Sequence, residues 1–329
     1  KNNWVKFGKT TESSCTYKGK ELFIFNDTGL KNVETQTECE TYSLCSLEGY
    51  GLRLVENSSI CGNINGTILT EKATWNGTST KDIYWRIIRT NADGSIKLLY
   101  AGTSPDTTSG YIGMSAFNST YNDPMYVGYK YGTTGSLENN RLNTNDSTIK
   151  TYVDNWYKNN LTAYTKYLSN DAVYCNDRNL KSGQSYSTTN DFDYAPYERM
   201  ENKQPTYNCT NNKDAFSGSN SEAKLDYPVG LMTIDEIVYA GGKSYTSLPS
   251  PYTWYYLNSA GGSITGGTDW WTLSPFFWFH TTSDGWKVSG SDEPGYLSRS
   301  DLDYTYAVRP AISLKSCIKY STGNGTSET

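Results

Sequence analysis

Ile83, Trp85 and Ile87 alternate with Tyr84, Arg86 and Ile88, a period of two that predicts a strand. Asn91-Ala92-Asp93-Gly94 supplies turn chemistry, and Ile96-Lys97-Leu98-Leu99-Tyr100 forms the return strand of a hairpin. Glu21-Leu22-Phe23-Ile24-Phe25 is a further strand, ended by Asn26-Asp27-Thr28-Gly29. The period then changes. Ile149, Tyr152, Val153 and Trp156 recur at helical spacing, and Asp146 or Ser147 can cap a helix over about 147–160. From 176 to 225 no periodicity holds, and the segment reads as loops. Thr233-Ile234-Asp235-Glu236 matches a capping box, with Ile234, Ile237 and Val238 as the apolar face and Gly241-Gly242 as the stop. After Ser244 come short aromatic strands and glycine turns: Trp254-Tyr255-Tyr256, Gly261-Gly262, Gly266-Gly267, Trp270-Trp271. Hairpin, helix, loops, helix and short strands together predict an α+β domain.

Composition adds the outer limits. The chain of 329 residues is 36% apolar, yet it carries 29 Tyr, 9 Trp and 9 Phe. Mean hydropathy is −0.66. Aromatics at that density argue for a folded chain with a modest core and a wide polar surface. The net charge of −5 comes without a basic stripe, so no nucleic-acid partner is expected. No apolar run reaches membrane-spanning length, so membrane attachment is expected only through an anchor segment outside this sequence. Nine sequons, among them Asn118 and Asn208, are what a chain rich in Asn, Ser and Thr produces by chance.

Seven cysteines lie at 15, 39, 45, 61, 175, 209 and 317. None forms a CxxC, and His280 is the only histidine, so zinc is not expected. Wide spacing reads as disulfides in an oxidising compartment, with one thiol left over. The expected bridges are Cys175–Cys209, closing a polar loop, and Cys61–Cys317, joining the start of the main domain to its end. Pairing among Cys15, Cys39 and Cys45 stays open. The organisation expected is a small Cys-containing module at 1–80, a ligand-binding domain at 81–317 and a polar, disordered tail at 318–329.

Four stretches carry a family likeness. Gly230-Leu231-Met232-Thr233-Ile234-Asp235-Glu236-Ile237-Val238-Tyr239-Ala240-Gly241-Gly242 resembles a helix of the formylglycine-generating-enzyme branch of the C-type-lectin-like fold. Trp270-Trp271-Thr272-Leu273-Ser274-Pro275 and Tyr306-Ala307-Val308-Arg309-Pro310-Ala311-Ile312-Ser313-Leu314 are similar to the close of bacterial C-type-lectin-like domains. Tyr84 to Arg89 is similar to their first strand. The likeness covers about 82–317 and implies that fold. Within it, the chain resembles the variable proteins of diversity-generating retroelements of gut bacteria, in which a C-terminal segment is diversified between framework pieces. That family's enzymes use cysteines near the C-terminal region. Cys317 follows the Val-Arg-Pro close and does not match, so no enzymatic activity is implied.

The resemblance places the diversified surface between Phe276 and Tyr306. The candidate ligand-binding residues are Phe276, Phe277, Phe279, His280, Ser291, Asp292, Tyr296, Arg299, Asp301, Asp303 and Tyr304. Trp278 is expected to be buried, with Phe277 and either Phe279 or Phe276 exposed. His280 has no nucleophile or orienting partner in any motif, so it reads as a surface residue of the binding face. Trp270, Trp271, Arg309 and Pro310 are framework, with Arg309 expected to bond a buried carboxylate or carbonyl. Asp292, Glu293, Asp301 and Asp303 are acidic candidates for calcium. Glu293-Pro294-Gly295 lacks the amide used by calcium-dependent lectins, and Trp-Asn-Asp does not occur. A solvated loop is the preferred reading, calcium the lesser one, and no metal or cofactor is expected. The function expected is an extracellular or cell-surface binding protein, such as a pilus adhesin or phage receptor-binding protein. Its partner would be a protein or glycan on another cell, phage or host surface. A glycan-binding lectin is the alternative, and an enzyme the least favoured reading.

Overall fold

The computed structural model describes residues 3–26, 29–47, 51–246, 257, 262–290, 295–319 and 321–322. The expected strand Trp254-Tyr255-Tyr256, the candidates Ser291 and Asp292, and the tail from 323 lie outside the described residues. The chain divides into two compact units, Lys9–Asp82 on the one hand and Lys1–Gly8 with Ile83–Thr329 on the other.

The smaller unit is built on strands in the order Gly29–Asn32, Phe23–Asn26, Gly51–Val55, Ser43–Leu47, Thr67–Leu69. Leu22, Ile24, Val33, Leu44 and Leu54 pack around the Cys15–Cys39 disulfide. Cys61 lies on the short helix Ser58–Asn63 and pairs with Cys45 of the 43–47 strand. The expected Cys61–Cys317 bridge is therefore wrong. Cys317 is a free, exposed thiol beyond the last strand. Spacing could not separate these pairings, because four cysteines near one another in sequence allow several. Gly66 leaves room for the Cys45–Cys61 bridge. A Cβ there would stand 2.5 Å from the Cys45 sulfur and 2.7 Å from that of Cys61.

In the larger unit the residues Trp85 to Thr90 pair antiparallel with Tyr100 to Ile96, with a register shift between Ile87 and Arg89. Ala311–Leu314 pairs with the 96–100 strand, and Val229–Gly230 with Ala311–Leu314. Trp85 sits beneath this sheet and donates from its indole to the Phe7 carbonyl at 2.7 Å. The helix Thr148–Asn160 covers it. Ser147 caps it, and Ile149, Val153 and Tyr157 are buried. Trp156 meets Trp85 and Tyr100 edge to face.

A second sheet runs in the order Met114–Ala116, Thr305–Ala307, Trp270–Phe279, Thr282–Val288, Tyr296–Asp301, Lys243–Ser244. The helix Ile234–Tyr239 has the capping box its sequence predicts. It docks on the 270–279 strand, where Leu273 donates to the Met232 carbonyl and Ile234 to the Ser274 hydroxyl. The 176–225 segment is mostly loop but includes a helix, Ala195–Glu201, that its pattern did not disclose. That helix has seven residues and starts on a proline turn, too short to show a period. Arg309 donates to the carbonyls of Tyr100 and Gly110, both at 3.0 Å, and lies 4.9 Å from the Trp270 ring. Burial pushes its pKa down to about 9.

Candidate ligand-binding face

The 270–279 strand is buried from Trp270 to Phe276 and then comes to the surface. Its register explains the change. Pro275 faces Gly285, but Phe277 faces Asp284, so Phe276 is one extra residue in the ladder. A bulge suits this place, since Pro275 has no N–H to give the neighbouring strand. The bulge turns Phe276 inward, onto Trp286 at 4.5 Å and Tyr197 at 5.0 Å. Phe276 is only 5% exposed, and its expected place on the ligand-binding face is wrong. Trp278 is buried as well. Phe277 and Phe279 are half-buried, with ring centroids 4.0 Å apart.

Beyond the bulge, Phe277, Asp284 and Asp301 stand in one row across three strands. Trp286 and Arg299 form the next row. Arg299 reaches over this surface. Its guanidinium lies 4.5 Å from the Phe279 centroid and bonds the Asp284 carboxylate. Tyr245 also hydrogen bonds Arg299, and its ring meets Tyr296 edge to face at 5.7 Å. Asp284 is fully buried, bonded by the Arg299 guanidinium and sharing a side-chain hydrogen bond with the Asp301 carboxyl. Burial pushes its carboxyl up to about 7, against the pull of Arg299 and with the push of the Asp301 charge.

The other expected residues divide. His280, at the hairpin end, is exposed; its backbone N–H and ring Nδ1 both engage Asp191, at 2.9 and 2.8 Å. The hydrogen bonds from His280 hold Asp191 below the usual carboxylate range. Asp303 is exposed in the following turn, and Tyr304 is 56% exposed. Tyr304 stacks on Tyr306, under which Lys287 lies, 5.1 Å from the ring. Lys287 alternates with Trp286 and therefore points to the sheet face opposite Arg299. Phe277, Phe279, Arg299 and Asp301 meet around Asp284, while Tyr304 belongs to the opposite face.

Asp284, Tyr245 and Asp191 were not singled out from sequence. Asp284 did carry a signal, being a lone carboxylate two positions from Trp286 in an alternating strand.

One group of three carboxylates with metal-ligand spacing occurs among the described residues: Asp146, Asp154 and Asp226. The buried ammonium of Lys150 fills it, bonding Asp154 as well as Asp146 at 3.2 Å and Asp226 at 2.9 Å. A narrow cleft beside the Cys175–Cys209 bridge is lined by Arg89, Lys97, Arg199, Asp235 and Glu236. Its cations and carboxylates pair among themselves.

Compared with known proteins, the chain matches no family model, no curated sequence and no solved structure. The lectin-like likeness therefore rests on its motifs alone.

Proposed function

We propose that the protein is an extracellular or cell-surface ligand-binding protein, an adhesin on a C-type-lectin-like scaffold with a diversified binding surface. The observation that carries this reading is the emergence of Phe277 and Phe279 from a buried strand, with Arg299 laid over Phe279. Aromatic and arginine side chains held half-exposed on a rigid sheet are the usual anchors of recognition surfaces. Three disulfides favour an oxidising compartment. Among the described residues no helix is long and apolar enough to cross a membrane. We read the chain as a binder rather than an enzyme, since Cys175 and Cys209 are tied in a bridge and Cys317 follows the Val-Arg-Pro close.

The test is a parallel screen on a glycan array and against cell-surface proteins, run with the wild type and the Phe277→Ala/Phe279→Ala variant. Hits should weaken by about 2 kcal/mol or more in the variant. Glycan hits alone would favour the lectin alternative. A variant that binds every hit like the wild type would overturn the assignment of this face.

A further inference from the structure

The cleft beside the Cys175–Cys209 bridge contains one cation whose donors are only partly engaged. Arg89 donates from Nε to Glu236 at 2.9 Å, and its guanidinium lies 4.4 Å from the Tyr207 ring. Among the described residues no protein group accepts from its two terminal nitrogens. The side chain is 18% exposed and lines the cleft. The other two cations of the cleft differ. Lys97 bonds both oxygens of Glu236, and Arg199 donates to Asp235 from two nitrogens and to Asp177 from the third. Asn208, exposed on the same wall, uses its backbone N–H on Thr206 and leaves its side-chain amide open among the described residues.

This guanidinium is fixed in advance. Glu236 holds its Nε edge, and the Tyr207 ring covers one face. Tyr207 itself sits on a tied segment. Cys209 is bridged to Cys175, the Thr206 N–H donates to Asp235 at 3.0 Å, and the Pro205 carbonyl accepts from the Tyr239 hydroxyl at 2.7 Å. An arginine so held loses little freedom when an acceptor docks. Its two terminal nitrogens present parallel N–H groups, the match for the two oxygens of a carboxylate. Charge narrows the choice further. Arg89, Lys97 and Glu236 together leave one positive charge, while Asp177 and Asp235 exceed Arg199 by one negative charge. A monoanion at Arg89 is therefore favoured over a dianion such as phosphate. Outside the cleft, the exposed Tyr207 and Tyr239 rings, 4.2 Å apart, offer an apolar surface to the body of a ligand. We infer that this cleft is a second binding site, which takes a carboxylate group of a ligand on the Arg89 guanidinium. It goes beyond the surface around Phe277 and Arg299 and shares no residue with it.

Such a carboxylate has two sources, an acidic sugar or the C-terminal end of a peptide. The experiment is an NMR titration of the intact chain at neutral pH with N-acetylneuraminic acid in one arm and N-acetylglycine in the other. The methyl ester of the first and the amide of the second are the uncharged counterparts. At least one acid should shift the resonances of Arg89, Tyr207 and Asn208, and the neutral counterparts should not. A response to the sugar acid alone assigns a glycan source, and a response to N-acetylglycine alone a peptide end. Arg89→Lys keeps a positive charge beside Glu236 but removes the paired donors, and it should weaken binding by about tenfold or more. Tyr207 is 48% exposed, so Tyr207→Ala tests the site with the core left intact, and it should weaken binding by about threefold. Phe277→Ala/Phe279→Ala should bind the acid as the wild type does. No shift from either acid, equal shifts from acids and neutral counterparts, or full affinity in Arg89→Lys or Tyr207→Ala would overturn the inference. None of these results bears on the Phe277 surface, which has its own screen.

Discussion

Lys97 donates to both carboxylate oxygens of Glu236, at 2.7 and 2.8 Å, across 139 positions of sequence. Neither side chain is more than 2% exposed. Glu236 also closes the capping box of its helix and takes a second ion pair from Arg89 at 2.9 Å. Burial lowers the pKa of Lys97. For Glu236 burial raises the carboxyl, but Lys97 and Arg89 outweigh it and hold the group below its ordinary range. Removing one partner leaves the other charge buried and alone. Lys97→Met or Glu236→Gln should therefore cost about 3–5 kcal/mol, and the double Lys97→Met/Glu236→Leu variant clearly less than their sum. Urea unfolding with the disulfides intact checks this.

Stability should depend on the protonation of Asp284. Its folded pKa, about 7, lies above the roughly 3.9 of an unfolded aspartate, so the native state binds this proton more tightly. The stabilisation is present in full below about pH 4 and is lost as pH rises through about 7. Asp154, pushed up to about 6, acts in the same direction. The urea midpoint of Asp284→Asn should fall less steeply between those limits than that of the wild type. An unchanged slope would remove Asp284 as its source.

The thiols give a third check. Alkylation without reductant should label Cys317 alone, since the other six cysteines are bridged. Cys175→Ser/Cys209→Ser should lose about 2–5 kcal/mol, and Cys317→Ser should change nothing measurable.

The sheet's inner and outer positions should separate by mutation. Trp286 is fully buried against Phe276, and Trp286→Ala should cost about 3–5 kcal/mol. Tyr304→Ala, at an exposed position, should stay within about 0.5 kcal/mol by thermal unfolding.

What could be read from the chain followed the range of each signal. Local chemistry was legible. The capping box at Thr233, the cap at Ser147 and the turn before Ile96 depend on residues a few positions apart, and all three form. Long-range choices were not. Nothing near Glu236 announces Lys97, and nothing in the Cys61 spacing prefers Cys45 to Cys317. Phe276 was misplaced for a third reason. Four consecutive rings carry no polar position to mark the outer face; alternation with Trp278 already argued for burying Phe276, and the bulge sets it against Trp286. Asp284 was not legible as part of the face, because a recognition surface is read from polar and aromatic residues that alternate outward, and this carboxylate is buried behind it.

The central claim is that the accessible positions of the 276–304 segment are specialised for recognition. Its most direct test is the sequence of the same gene from several isolates of its source. Substitutions should concentrate at Phe277, Phe279, His280, Tyr296, Arg299, Asp301, Asp303 and Tyr304, the described candidates that are exposed or half-buried. Buried Trp278, Asp284, Trp286, Leu297 and Leu302 should hold within the same segment, as should the flanks Trp270–Pro275 and Val308–Leu314. Substitutions spread evenly along the chain, or as frequent at Trp278 and Trp286 as at Phe279 and Tyr304, would contradict the account.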